Sequence, residues 1–274
     1  MSDWNSRELN HFGYTELRGK GVVKIFTTRE AKILDGTPHY LVIEEIGEID
    51  SAKHFEEVLS ELMKYIREKE IQSVSVVLNE QEVEYTPYAE LLGQFSFERQ
   101  ETQFFYRRDL SKFKNIKMKS AFAVKSLKEI DSDIFLKTWA EASSGSLNAS
   151  TPFSTLSVQE EFEGLQTELG PDYEKNCLVI FYRNQAVGVT MPQIEEGTID
   201  EGRLFYFGII PAFRNRGWGK YLHKLSLHFL KQMGAAYYIG ATGQNNIPMQ
   251  RIFETNACEL MERKFIYRWK DSVK

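Results

Sequence analysis

The sequence predicts a mixed α/β protein made of two similar blocks, and three observations support this fold class. Segments with the alternation of strands and segments with the period of helices follow one another along both halves of the 274-residue chain. A lysine-rich polar stretch at residues 109–120 separates the halves. The end of the first half, residues 98–109, resembles residues 260–271 at the end of the second. We therefore expect two domains, 1–112 and 113–274, each a mixed sheet flanked by helices. They would arise from an internal duplication, and the alternative is a chance resemblance of two α/β blocks.

The elements of the first half are predicted from the spacing of its apolar residues. Four of these residues fall on one face of a helix, namely Phe55, Leu59, Leu62 and Ile66. Asp50 or Ser51 would be an ordinary N-cap for this helix. The elements that follow are a strand at 73–78, a helix at 83–92 and a strand at 95–107.

The second half alternates strands and helices in the same order. Arg183, Asn184 and Gln185 lie between two apolar runs, which is the pattern of a β-hairpin. Ser157 and Glu160 have the spacing of a capping box. Three antiparallel strands followed by a strand–helix–strand unit give a mixed sheet with one parallel crossover. The predicted strands are 122–124, 177–182, 186–191, 203–210, 236–241 and 260–269. The predicted helices are 130–142, 157–169, 218–233 and 247–255.

Composition and charge argue against several functional classes. The formal net charge of −5 is unlike that of nucleic-acid-binding proteins, which are usually basic. No apolar run is long enough to span a bilayer, and the first residues lack the pattern of a signal peptide. Two cysteines and five scattered histidines have no spacing typical of metal ligands. We expect a cytoplasmic protein without a metal, a membrane partner or a nucleic-acid partner.

The turn before the long helix of the second half is unusual for a helix start. It contains three cations, Arg214, Arg216 and Lys220, together with Gly217 and Gly219. Glycine is a poor helix former, and positive charge at a helix N-terminus opposes the helix dipole. Free N–H groups, glycines and cations together are nevertheless what a bound phosphate requires. The alternative is a solvated glycine-containing loop, and the spacing fits neither the Walker A motif nor the dinucleotide fingerprint.

This turn resembles motif A of the GNAT superfamily of acetyl-CoA-dependent N-acyltransferases. The family pattern is a strand, an apolar–proline turn and then Arg/Gln-x-x-Gly-x-Gly/Ala, which Arg214, Gly217 and Gly219 match. The next family motif is matched more loosely, with Asn246 at its Asn position and Phe253 at its Tyr position. The resemblance covers the second half of the chain. The first half looks like a degenerate GNAT-like copy that lacks the phosphate-binding loop, as in tandem GNAT proteins.

The resemblance implies an acetyl-CoA site at this turn. The N–H groups of residues 215–220 would bind the pyrophosphate, and residues 208–210 would pair with the pantetheine arm like an added strand. An N–H group near Ile209 would stabilise the oxyanion, and the Asn246 amide would hold the arm. The cofactor-binding residues so implied are Gly208, Ile209, Ile210, Arg214, Asn215, Arg216, Gly217, Trp218, Gly219, Lys220, Asn246 and Phe253.

The implied activity is transfer of an acetyl group from acetyl-CoA to a primary amine of a small molecule or peptide, by direct attack in a ternary complex. Phe253 departs from the family pattern, because it cannot donate the proton that a Tyr there gives to the leaving thiolate. Tyr206 is the candidate polar group near the acyl carbon. It is expected to alternate with Phe205 and Phe207 and to share a face with Gly208.

The general base is not indicated by the sequence. Four carboxylates in one acidic run are either base candidates or part of a solvated loop, namely Glu195, Glu196, Asp200 and Glu201. The alternative function is an acyl-CoA-binding regulatory module with little or no turnover. The acceptor amine, the length of the acyl group and a homodimeric state stay open.

Overall fold

A computed structural model describes residues 5–7, 24–27, 31–36, 40–46, 49, 51–147, 162, 166, 169, 171–195 and 197–269. These residues form two compact units that are not consecutive in sequence. The first unit contains the described residues up to Phe104 together with residues 262–269. The second contains the described residues from Phe105 to Met261.

The first unit contains a six-stranded sheet in the order β1-β2-β3-β4-β5-β12. Strands β1 to β4 are antiparallel neighbours, β5 is parallel to β4, and β12 is antiparallel to β5. The elements are β1 (Asn5–Arg7), β2 (Lys24–Thr27), β3 (Ala31–Gly36), β4 (Tyr40–Ile46), α1 (Ala52–Glu68), β5 (Val74–Asn79), α2 (Glu80–Tyr85), α3 (Tyr88–Gln94) and the end of β12 (Glu259–Trp269).

The second unit repeats this topology, with a sheet in the order β7-β8-β9-β10-β11-β6. Strands β7 to β10 are antiparallel neighbours and β11 is parallel to β10. The elements are the end of β6 (Phe97–Asp109), β7 (Phe122–Ser126), α4 (Ser132–Ser143), α5 (Tyr173–Asn176), β8 (Leu178–Tyr182), β9 (Gln185–Ile194), β10 (Glu201–Ile209), α6 (Trp218–Gln232), β11 (Tyr237–Gly243) and α7 (Ile247–Thr255). In each unit the sixth strand comes from the other half of the sequence. The predicted mixed α/β fold class is confirmed.

Helices cover both faces of the second sheet. Phe135 and Trp139 of α4 pack with Val179 on one face, whereas Leu222 of α6 packs with Ile180 on the other. Val179 and Ile180 are consecutive in β8, so their side chains point to opposite faces. Strand β10 therefore runs between two helical layers, and its last residues lead directly into the unusual turn.

Most predicted elements agree with the structure, and the exceptions have physical causes. The single helix predicted at 83–92 is two helices, because Pro87 interrupts it and holds Thr86 extended at φ −129° and ψ 159°. Strands β1 to β4 were not predicted. Asp50, and the capping box of Ser157 and Glu160, lie outside the described residues.

The lysine-rich stretch after β6 has no helix or strand, as predicted, but it is not a free linker. Leu110 is fully buried, and its N–H donates to the carbonyl oxygen of Ala236 at 2.7 Å. The Lys231 ammonium group of α6 donates to the carbonyl oxygens of Ser111 and Phe113 at 3.1 and 2.6 Å. This stretch is therefore a packed part of the second unit.

Candidate functional site

Strand β10 has one closed edge and one open edge. Toward β9 it is paired as far as Ile209, whereas toward β11 only Glu201 and Gly202 have partners. The N–H of Ile210 donates to the carbonyl oxygen of Val187 on the β9 side at 3.0 Å. Because successive N–H groups alternate along a strand, the N–H of Ile209 points toward the open edge. The end of β10 can thus pair with an extended ligand and direct an N–H group at it.

A bulge in β10 changes the direction of its side chains. Leu204 pairs with Pro192 and Phe207 with Thr190, so β10 has one residue more than β9 over this interval. As a result Phe205 packs in the same apolar cluster as Tyr206, on the α4 face. The strict alternation predicted from the sequence is confirmed for Phe207, which packs on the α6 face, and is wrong for Phe205.

The side chain of Tyr206 lies across Gly208 on the α4 face. A methyl group at Gly208 would come 2.5 Å from the Tyr206 hydroxyl oxygen, so the ring occupies the space that glycine leaves. The predicted shared face is confirmed. The Ser143 hydroxyl donates to the Tyr206 oxygen at 3.1 Å. Burial raises the pKa of Tyr206, while this hydrogen bond and the charge of Arg214 act in the opposite direction.

The side chain of Arg214 is bound to the main chain of its own unit. Its Nε donates to the carbonyl oxygen of Ile209 at 2.8 Å. Its terminal nitrogens donate to the carbonyl oxygens of Ala142, Ser144 and Gly145 at 2.9, 2.9 and 3.2 Å. An arginine at the C-terminal end of α4 is favourable because it binds the free carbonyl groups there. Arg214 therefore joins the end of β10 to the end of α4.

The first turn of α6 is open to solvent and has no side-chain cap. Asn215 and Gly217 have left-handed backbones, with φ of 60° and 72°. Gly217 is the N-cap residue, and it has no side chain that could accept a hydrogen bond from the following N–H groups. In the first unit, by contrast, the Ser51 hydroxyl oxygen accepts from the N–H of His54 at the start of α1. The second unit leaves N–H groups available where the first unit satisfies them.

The aromatic and charged residues of the turn have different roles. Trp218 packs on Tyr182 with ring centroids 4.6 Å apart, and it stacks on Phe213 at 5.9 Å. It therefore anchors the helix. The Arg216 guanidinium lies over the Phe213 and Trp218 rings at 5.1 and 5.5 Å and stays exposed, as does Lys220. These two cations and the N–H groups form one positively charged surface.

Helix α7 supports the turn from behind. A methyl group at Gly219 would come 2.7 Å from Cδ1 of Ile252, so this glycine allows α6 and α7 to pack closely. The Asn246 side chain caps α7 by accepting from the N–H of Met249 at 3.3 Å. The Asn256 amide donates to the carbonyl oxygen of Lys220 at 3.0 Å, in the first turn of α6.

Phe253 is a core residue. Only 1% of its surface is exposed, and its ring lies 4.8 Å from that of Tyr106 and 5.4 Å from that of His223. His223 is itself fully buried, and burial with the Arg108 charge lowers its pKa to about 3. Its Nδ1 lies 2.9 Å from the Asn256 amide nitrogen and accepts its proton. Because Phe253 is buried, its ring has almost no exposed surface with which to contact a cofactor.

The acidic run lies at the other end of β10. Glu201 begins the strand, where it binds Arg203 and accepts from the Tyr237 hydroxyl at 3.0 Å. Gly208 lies seven positions further along the chain, which is about 23 Å in an extended strand. Asp200 immediately precedes Glu201, and Glu195 is buried nearby, donating its N–H to the Glu201 carbonyl. Glu196 lies outside the described residues. The described carboxylates of this run are too distant to act as a base at the turn.

Three residues have roles at the site that were not predicted from the sequence: Ser143, Asn256 and Gly188. A methyl group at Gly188 would come 2.4 Å from the carbonyl oxygen of Gly208, so β9 approaches β10 closely here. The only sequence signal for it was a glycine inside an apolar strand.

In the part of the chain that the structure describes, no helix is long and apolar enough to cross a bilayer. Within the same ranges, no three His, Cys, Asp or Glu side chains gather as metal ligands would.

Comparison with known proteins gives one family match and many structural matches. Residues 133–257 match the model of the acetyltransferase (GNAT) family, so the predicted resemblance of this region is confirmed. No curated protein sequence matches the chain significantly.

The structural matches extend over both units. A GCN5-related N-acetyltransferase from Sphaerobacter thermophilus is similar with a TM-score of 0.69 and 11% identity, over 90% of this chain and 79% of that one. A GCN5-related N-acetyltransferase from Kribbella flavida has a TM-score of 0.59 and 12% identity, over 90% of each chain. A tandem GNAT protein from the clavulanic acid biosynthesis pathway has a TM-score of 0.59 and 10% identity, over 90% of this chain and 78% of that one. At these identities the likeness concerns the fold.

Proposed function

We propose that this chain transfers an acetyl group from acetyl-CoA to a primary amine of a small molecule or peptide, and the match of residues 133–257 to the GNAT acetyltransferase family model supports this proposal. The observation that carries the proposal is the junction of β10 and α6. An open strand edge there meets an uncapped helix start with two exposed cations. A ligand with an amide-containing arm and a pyrophosphate would use both features at once.

In the proposed complex the pyrophosphate lies on the N–H groups of residues 215–220, near the charges of Arg216 and Lys220. The pantetheine arm runs along the open edge of β10 up to the Ile209 N–H. That N–H would donate to the thioester oxygen and stabilise the negative charge that develops when the amine attacks. The transfer needs no covalent enzyme intermediate.

Three residues that the family resemblance implied as ligands receive other roles in this proposal. Arg214 positions the turn, because its guanidinium is already bound to four carbonyl groups. Trp218 anchors α6 through its aromatic contacts. Phe253 fills the core behind the site. Asn246 stays a proposed ligand of the arm, and its side-chain oxygen also caps α7.

The second candidate function is an acyl-CoA-binding module without turnover. It is favoured by Phe253, which stands where relatives have a proton-donating Tyr. The two functions predict equal binding of the cofactor and differ only in chemistry, so thiol release in the presence of amines separates them.

The experiment measures acetyl-CoA binding by calorimetry and thiol release with an amine panel in the same samples. Lys220→Glu and Arg216→Glu should each weaken binding about tenfold or more, because a negative charge would face the pyrophosphate. Lys53→Glu is the matched control, since Lys53 is an exposed cation in the first turn of α1. An equal loss of affinity in the control would contradict the site. Binding without thiol release would favour the regulatory function.

A further inference from the structure

We propose that Tyr206 donates a proton to the departing thiolate and that Ser143 is a positioning residue for the Tyr206 hydroxyl. This inference rests on the proposed acyl transfer and adds to it the proton donor that Phe253 cannot supply. It concerns residues of β10 and α4, whereas the family resemblance directs attention to α7.

The position of the Tyr206 hydroxyl is the first argument. It lies 2.5 Å from the position that a methyl group on Gly208 would occupy. With ordinary bond lengths, this puts the oxygen within about 6.5 Å of the Ile209 nitrogen. The Ile209 N–H faces the open edge of β10, where the thioester oxygen would bind. The carbonyl oxygen and the sulfur are attached to the same carbon, so both groups can act on one thioester.

The contact with Ser143 is the second argument. The two hydroxyl oxygens lie 3.1 Å apart, so Ser143 can donate to the Tyr206 oxygen when the Tyr206 proton goes to the thiolate. The location of Ser143 is fixed by Arg214, which binds the carbonyl oxygens of Ala142 and Ser144 on either side of it. Because Arg214 also binds the Ile209 carbonyl, the donor and the strand are held in one arrangement.

The electrostatic surroundings suit a proton donor that must recover its proton. Burial raises the pKa of Tyr206, so the hydroxyl stays protonated in the resting site at neutral pH. The hydrogen bond from Ser143 and the charge of Arg214 both stabilise the phenolate once the proton has left. The Tyr206 hydroxyl is therefore protonated before the reaction and can give up its proton during it.

The reaction balances without another reactant. The neutral amine nitrogen attacks the thioester carbon, the new C–N bond forms, and the C–S bond breaks. The sulfur takes the proton of the Tyr206 hydroxyl and leaves as the free thiol. The acylated nitrogen then loses its extra proton to the Tyr206 phenolate, which restores the hydroxyl. The products are an amide and CoA, and no electrons are exchanged with any other group.

The test compares two acyl donors that differ only in the leaving atom, acetyl-CoA and its selenoester analogue. A selenol is much more acidic than a thiol, so its anion leaves without protonation. With acetyl-CoA, Tyr206→Phe should lower kcat about 100-fold or more, as loss of a general acid does. With the selenoester the loss should be under about tenfold. Ser143→Ala should lower kcat with acetyl-CoA by about 3- to 10-fold at unchanged KM, and Ser143→Thr should restore it.

The controls separate this inference from the proposed function. Tyr237→Phe removes a hydroxyl at the far end of β10 and should leave kcat within about twofold of the wild type, given the distance along the strand. Melting temperatures identify any variant that fails to fold. Equal losses with both donors would overturn the role of Tyr206 while acyl transfer stands. If the wild type binds acetyl-CoA but shows no turnover, both the proposed acyl transfer and this inference are wrong. If the wild type does not bind acetyl-CoA, the proposed cofactor site is wrong.

Discussion

The Nε of Arg214 donates to the carbonyl oxygen of Ile209 at 2.8 Å, and the same guanidinium binds the end of α4. In the family motif this arginine is readily interpreted as a phosphate ligand. Here it fixes the direction in which the chain leaves β10. The shape of this turn thus depends on contacts between residues that are about 70 positions apart.

Replacement of Arg214 should therefore affect stability as well as binding. Arg214→Lys keeps the charge but cannot reach four carbonyl groups from one ammonium. We expect a loss of about 1–2 kcal/mol in the free energy of unfolding, measured with urea. Arg216→Lys is the control, because Arg216 is exposed and its guanidinium donates to the carbonyl oxygen of Ala212 at 3.0 Å. It should change stability by less than about 0.5 kcal/mol. Equal losses would contradict the role given to Arg214.

The two glycines of the turn should respond differently to alanine. Gly217 has a left-handed backbone, and a methyl group there would meet no atom of the described residues within 4 Å, so Gly217→Ala costs about 1–2 kcal/mol through backbone strain alone. At Gly219 the obstacle to a methyl group is the flexible end of the Ile252 side chain, whose Cδ1 would lie 2.7 Å away. Gly219→Ala should thus be partly rescued by Ile252→Val, and Gly217→Ala should not. Urea unfolding of the three single variants, including Ile252→Val alone, and of the two double variants checks this. Rescue of both would mean that packing against α7 controls the whole turn.

The sequence predicted the second unit well because its signals are local. The bounds found for α7 are those predicted, since Asn246 as a cap and Pro248 in the first turn mark its start. Strand β4 was missed because residues 40–43 are all buried, so the strand has no alternation to detect. The bulge at Phe205 depends on the register with β9, and the bond between Ser143 and Tyr206 spans 63 positions. No local pattern contains either relationship.

The buried His223 should make folding depend on pH. Its pKa is lowered to about 3 in the folded chain, so the unfolded chain binds more protons below pH 6.5. Stability is therefore full above pH 6.5 and falls as the pH decreases from 6.5 toward 3. From pH 7 to pH 5 this group should remove about 2 kcal/mol.

His223→Gln isolates this effect from other groups, such as His228, whose pKa is also lowered by burial. Glutamine can still accept from the Asn256 amide and donate to the Tyr238 hydroxyl, and it does not titrate. Urea unfolding at pH 7 and pH 5 should show a smaller decrease for this variant than for the wild type. An identical decrease in both proteins would mean that His223 does not carry the pH dependence.

Introducing the family's tyrosine at position 253 should not create a proton donor. The Phe253 ring is enclosed by Tyr106, Tyr238 and His223, and a methyl group at Gly240 would come 2.9 Å from it. An added hydroxyl would lack space and a hydrogen-bond partner in place, which costs about 1–3 kcal/mol. We expect Phe253→Tyr to lower the free energy of unfolding by that amount and to leave kcat unchanged or lower. Phe253→Leu controls for loss of the ring contacts. A kcat higher than that of the wild type, at reduced stability, would instead show that the hydroxyl reaches the thioester and that α7 supplies the acid.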